Sequence, residues 1–248
     1  MFEDLKPHLI ELRKRLFISV LAIIVCFFVC FSFWKIILEF ICIPLNNVLP
    51  QGSKIIFTKI QEPFFTAMKV ALFAGFLLAL PIVFWQFWRF VEPGLYENEK
   101  KLVIPFVLSA TCMFLLGAAF CYYFVTPIAF GFLVNFSEGA FEALPSIAEY
   151  VSFFTKLVLA FGVGYELPVV IFFLAKLGLV DDKMLMNNLR VAILIIFIFA
   201  AIMTPPDVFS QFLMAIPLIG LYLASILIAK KVNPAAKDEE DSESDDDE

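Results

Sequence analysis

An all-α fold that crosses a membrane six times is predicted by three features of this 248-residue chain. Apolar and aromatic residues make up 62% of it and charged residues 17%, against roughly 45–50% and about 25% in soluble domains. The apolar residues fall in runs near the ~20 residues with which a helix crosses a ~30 Å hydrocarbon layer. Lys and Arg outside those runs alternate in density from one connection to the next. With 32 Phe alone, a chain of this size cannot hide its apolar surface from water. Composition excludes an ordinary soluble enzyme, a disordered chain and a disulfide-stapled secreted module.

The first span is placed at 16–34. Lys6, Arg13, Lys14 and Arg15 precede it as in a signal peptide. Its 19 residues end at Trp34-Lys35 without a small-residue cleavage site, so it is expected to stay as a helix. The second, third and fourth spans are placed at 67–88, 102–126 and 153–175. The fifth, 191–203, has 13 apolar residues, roughly 20 Å of helix. It must extend into 188–190, thin the bilayer or pack inside protein. Thr204-Pro205-Pro206-Asp207 ends it, because two prolines stop a helix, and the sixth span follows at 208–229. Pro81, Pro105, Pro168 and Pro217 lie inside spans and predict kinks; kinked helices readily form a concave face. The outer loops at 35–66 and 127–152 mix Pro and Gly with apolar residues and are expected to form short helices.

The cation count sets the orientation. Thirteen Lys and Arg lie in the N-terminal segment, the connections at 89–101 and 176–190 and the C-terminal segment; three (Lys35, Lys54, Lys59) lie in the alternate loops. That bias places both termini in the cytoplasm, as an even number of spans requires. Trp34, Trp85 and Trp88 fall at span ends, where interfacial anchors sit. Lys69 and Lys156 lie just inside spans and can snorkel outward. The formal charge of −6 comes from the tail: residues 238–248 hold nine acids and no base, and without them 18 bases face 15 acids. Such a run repels itself and buries nothing. Residues 1–230 are therefore one six-span membrane domain, and 231–248 an acidic, disordered cytoplasmic tail.

Few residues could carry covalent chemistry. His8 is the one histidine, and the five cysteines form no CxxC pair, so no metal set is predicted and the cysteines read as small hydrophobes. No cofactor is expected. The ionisable residue that stands out is Glu166, in Phe161-Gly162-Val163-Gly164-Tyr165-Glu166-Leu167-Pro168 near mid-span. A carboxylate there costs a few kcal/mol on insertion scales and needs a polar cavity or a donor. Two further segments concentrate polar groups. His8-Leu9-Ile10-Glu11-Leu12-Arg13-Lys14-Arg15 sets Glu11 within one helical turn of Lys14 and Arg15, a local salt bridge. The connection from Gln86 to Lys101 places acids among aromatics around a Pro93-Gly94 turn.

Together these segments resemble TatC, the receptor subunit of the twin-arginine protein translocase. Pro7 to Arg15 resembles the family's H-L-x-E-L-R-x-R signature. Gln86, Trp88, Phe90, Pro93, Gly94, Leu95, Tyr96, Glu99 and Lys100 resemble its first cytoplasmic loop. Pro44-Leu45 and Pro63-Phe64-Phe65 resemble its first outer loop, which gives Pro44 and Pro63 a structural role there. Phe161, Gly162, Glu166 and Pro168 resemble its fourth span, and Thr204 to Gln211 the turn between spans five and six. The acidic tail lies outside the resemblance.

The resemblance implies a non-enzymatic receptor in the bacterial inner membrane. It implies recognition of twin-arginine signal peptides on folded precursors, TatA-type and TatB-type single-span partners, a homo-oligomeric receptor complex and transport driven by the proton-motive force. Two carboxylates can each accept a guanidinium fork through paired hydrogen bonds, which an ammonium cannot match. Glu11 and Glu99 are assigned to that task, with Glu97 and Glu92 in reserve. Phe90 and Tyr96 would contact the rest of the signal, and Arg13 would hold the N-terminal segment in register. Glu166 would be an intramembrane polar point used in transport. Met203, Thr204, Asp207 and Gln211 would dock a partner span. The competing function is a proton-coupled carrier of a small anion with Glu166 as relay, although the spans offer few polar groups to line its site.

Overall fold

The computed structural model describes residues 2–50, 52–91, 103–136 and 144–232. It is all-α among those residues, apart from one isolated parallel bridge between Ile56 and Ser146. The helices are α1 (Phe2–Ser32), α2 (Trp34–Asn46), α3 (Glu62–Val91), α4 (Val103–Phe120), α5 (Thr126–Asn135), α6 (Ile147–Tyr165), α7 (Leu167–Lys176), α8 (Asp182–Asn187), α9 (Leu189–Met203) and α10 (Val208–Val232); a π-helical turn, Cys121–Val125, joins α4 to α5.

Five helical segments are long and apolar enough to cross a membrane: His8–Ser32, Glu62–Val91, Val103–Asn135, Ile147–Lys176 and Val208–Val232. The 15 residues of α9 reach only about 22 Å at 1.5 Å per residue, as its short apolar run predicts. One boundary moves substantially. The sequence places the third span at 102–126 with an outer loop from 127, yet the helical segment continues to Asn135. The π turn just before Pro127, Cys121–Val125, shifts the hydrogen-bond register where the proline lacks an N–H.

The chain divides into two compact units. The first holds the described residues up to Leu115 together with Thr126–Thr155. Its centre is the α1–α3 pair. Ala67, Ala71, Gly75 and Ala79 recur every fourth residue, so they share one face of α3. A Cβ on Gly75 would lie 2.7 Å from the Phe27 nitrogen and 2.8 Å from its Cα, so here α1 lies directly on the α3 backbone. Small residues permit such an approach between apolar helices. Farther along α3, Phe76 and Phe84 pack edge-on against Phe114, and Trp88 stacks on Phe106 at 4.4 Å. Trp88 is thus buried rather than an interfacial anchor, because it falls on the α3 face turned toward α4. Trp85, three residues earlier, is exposed as an anchor should be. Lys69 donates to Ser152 Oγ at 2.9 Å.

The second unit holds Leu116–Val125 and the described residues from Lys156 onward. Gly117 lies against the Phe161 carbonyl and the Tyr165 ring, and Phe120 packs on both of those rings at 5.8 Å. Helix α10 packs on α7, α8 and α9. Gly164 meets Leu218, and the Tyr222 hydroxyl donates to the Leu185 carbonyl at 3.0 Å. Pro81 and Pro217 lie within α3 and α10, whereas Glu166 with Pro168 interrupts the helix between α6 and α7.

Candidate signal-binding site

The apolar stripe that packs α1 on α3 also aligns their polar ends. Running antiparallel, the first turns of α1 come beside the last turns of α3. The His8 and Phe90 rings lie 5.5 Å apart. Arg15 joins the two helices: Nη2 donates to Glu11 Oε1 at 3.2 Å and Nη1 donates to Gln86 Oε1 at 3.3 Å. The salt bridge expected for Glu11 is made to Arg15, four residues on. Glu11 and Phe90 are half-buried and Arg13 is exposed. Arg15 is therefore the arginine that fixes the segment's register against α3, a task expected of Arg13. In the sequence Gln86 stands out only as part of the first cytoplasmic connection, and its partner is not legible.

Phe90 lies near the end of α3, and Tyr96, Glu97 and Glu99, like Glu92, lie outside the described residues. The structure thus brings Glu11, Arg15, Gln86, His8 and Phe90 together at the point where the chain enters that segment. A carboxylate offers about four lone-pair sites, so Glu11 can hold Arg15 and still accept a second guanidinium.

The other expected positions lie elsewhere. Glu166 occupies the break between α6 and α7, half-buried, and its buried Oε1 has no hydrogen-bond partner among the described residues. It is ten residues from Lys176, about 15 Å along a helix, which is mid-depth if Lys176 marks the boundary.

In the turn between α9 and α10, Asp207 Oδ1 accepts the Ser210 N–H at 2.7 Å, an N-cap for α10. Thr204 donates to the Ala200 carbonyl, and Gln211 donates to the Phe197 carbonyl at 3.2 Å. Met203 is half-buried. Thr204 and Gln211, expected to bond a partner helix, thus have partners within this chain.

Pro44 is buried in α2, and Pro63 is exposed at the start of α3. Beside Pro63 is a residue the sequence did not single out. The Glu62 carboxylate accepts the N–H and hydroxyl of Thr58 at 2.7 and 2.9 Å, the Lys59 N–H at 3.1 Å, the Ala148 N–H at 3.0 Å and the Ser146 hydroxyl. An acid directly before a proline that opens a helix was the available signal.

Residues 7–217 match the family described as Sec-independent protein translocase protein (TatC). The chain belongs to the TatC family. The TatC of Campylobacter jejuni is 58% identical over 245 residues, covering 98% of this chain and 100% of that one. The TatC of Escherichia coli K12 is 38% identical over 239 residues, covering 93% of each. A crystal structure described as the twin arginine translocase receptor TatC superposes with a TM-score of 0.83 at 39% identity, covering 91% of this chain and 99% of that one. As a member of that family, the chain is a multi-pass membrane subunit of a protein translocase and not an enzyme.

Proposed function

We propose that this chain binds twin-arginine signal peptides of folded precursor proteins on the cytoplasmic face of a bacterial inner membrane. Six spans with both termini cytoplasmic follow from the cation bias, with α9 as the short fifth span. The observation that carries the assignment is the Arg15 bridge to Glu11 and Gln86. It holds a carboxylate beside Phe90, next to the segment that contains Glu99. Glu11 and Glu99 each accept one guanidinium of the signal, with Glu97 and Glu92 in reserve; Phe90 and Tyr96 contact its remaining portion.

TatA-type and TatB-type single-span proteins complete the translocase, in a complex holding several copies of this chain. The proton-motive force drives transport. Glu166 acts in transport, and the Met203–Gln211 region of the outer turn receives a partner span. A crystal structure in the family carries the description receptor, which supports the receptor reading.

Photo-crosslinking in membranes tests the assignment. A probe at Phe90 should label an Arg-Arg signal peptide but not its Lys-Lys counterpart, and the labelling should disappear in Glu99→Ala. Equal labelling of both peptides, insensitive to Glu99→Ala, would remove the carboxylate clamp and favour an anion carrier centred on Glu166.

A further inference from the structure

The loop that leads into α3 turns its carboxylate inward and its apolar side chains outward. Ile60 is 95% exposed, Phe57 61%, Phe64 59% and Phe65 55%. Clustered apolar exposure of this kind marks an interaction surface. The segment is also held in place. Glu62 ties down the backbone at Thr58 and Lys59 and bonds to Ser146 and Ala148. The Ile56 N–H donates to the Pro145 carbonyl, and its carbonyl accepts the Ile147 N–H. Ile60 is therefore presented on a fixed turn.

What covers this surface follows from α3. Beyond Phe65, exposure continues through Met68 and Leu72 to Leu78, Ile82 and Trp85; in a membrane span such a surface meets acyl chains. Trp85 marks one edge of the bilayer core, as exposed tryptophans do. Twenty residues earlier, about 30 Å along a helix and one hydrocarbon thickness away, is Phe65. Phe57, Ile60 and Phe64 fall just beyond the opposite edge, at headgroup depth. Lys54 and Lys59 are exposed beside them and carry the charge that lipid phosphate attracts.

We propose that residues 57–65 form an interfacial anchor. Phe57, Ile60 and Phe64 enter the headgroup–acyl boundary at the N-terminal end of α3, and Lys54 and Lys59 lie against phosphates. The occupant is phospholipid. The proposal rests on α3 spanning the bilayer and is independent of signal binding.

The test uses the full chain in vesicles of phosphatidylethanolamine and phosphatidylglycerol. A diazirine-bearing leucine analogue is placed at position 60 or, for comparison, at position 72, and the adducts are identified by mass spectrometry. Phospholipid adducts at position 60, within about threefold of the yield at 72, are expected. Water-quenched product or adducts to protein at 60, with lipid still captured at 72, would overturn the anchor. Loss of lipid adducts at both positions would overturn the α3 span and the anchor with it.

Discussion

Glu62 accepts the backbone N–H of Ala148 at 3.0 Å, although 86 positions separate them in the sequence. The same carboxylate caps the turn at Thr58 and Lys59, so one side chain fastens the start of α3 to the start of α6. Glu62→Ala would leave three backbone N–H groups, at Thr58, Lys59 and Ala148, without their acceptor in a part-buried corner, and a donor shielded from water is costly to leave unpaired. Thermal unfolding in detergent should begin several degrees lower, and protease should cut sooner between residues 52 and 61. Glu62→Gln should fall between the two, because an amide has one acceptor oxygen instead of two.

Gly75 and Gly220 give opposite expectations for the same substitution. A Cβ at Gly75 runs into the Phe27 backbone, whereas at Gly220 it meets nothing within 4 Å. Overpacking against backbone costs on the order of 1–3 kcal/mol or more, and Gly→Ala in an open helix gains up to ~1 kcal/mol. Gly75→Ala should lower the unfolding midpoint and Gly220→Ala should hold or raise it. Equal effects in thermal melts would show that α1 does not lie on α3 at this point.

The spans were legible because hydropathy is a local property: 20 apolar residues announce themselves wherever their neighbours fold. The fifth helix read as short for the same reason. The links between spans were not legible. Arg15 meets Gln86 across 71 positions, and nothing near either residue encodes the pairing. Glu62 did not stand out because its partners at Ser146 and Ala148 come from another loop. The sequence places the third span at 102–126 but its helix runs on to Asn135, because the π turn at Cys121–Val125 that carries it past Pro127 has no reliable sequence mark. Asp207 was legible as important, but its cap on α10 competes with partner docking as the reason.

Asp207→Asn separates those two reasons. Asparagine caps a helix about as well as aspartate, while Ala at such a position costs roughly 1 kcal/mol. If capping is the whole role, Asp207→Asn should keep both stability and transport, and Asp207→Ala should lower both. A stable Asp207→Asn protein that no longer transports would establish a need for the charge, as docking of a partner would require.

Glu11 should contribute to discrimination between arginine and lysine. A charge-assisted hydrogen bond is worth about 1.5–3 kcal/mol, or roughly 10- to 100-fold in affinity. Glu11→Ala should weaken an Arg-Arg peptide by that factor and barely change a Lys-Lys peptide. Gln86→Ala removes only the far end of the Arg15 bridge and should weaken the same peptide a few-fold. Peptide titration monitored by fluorescence anisotropy would rank the two variants, and the reverse ranking would make Gln86 the direct contact.

Glu166 poses a different problem because its buried Oε1 has no hydrogen-bond partner among the described residues. A polar group in lipid without a partner costs several kcal/mol, so its retention there points to a task in the working complex. It lies in the second unit, whereas Glu11, Arg15, Gln86 and Phe90 lie in the first. Glu166→Ala should leave Phe90 crosslinking to an Arg-Arg peptide unchanged within about twofold, while export into inverted vesicles falls by about an order of magnitude. Glu166→Gln can still donate and accept hydrogen bonds and should keep part of the transport if hydrogen bonding to a neighbouring span is the task. If Gln transports no better than Ala, the ionisable proton is what matters. Loss of peptide crosslinking in Glu166→Ala at normal expression would end the separation between recognition and transport.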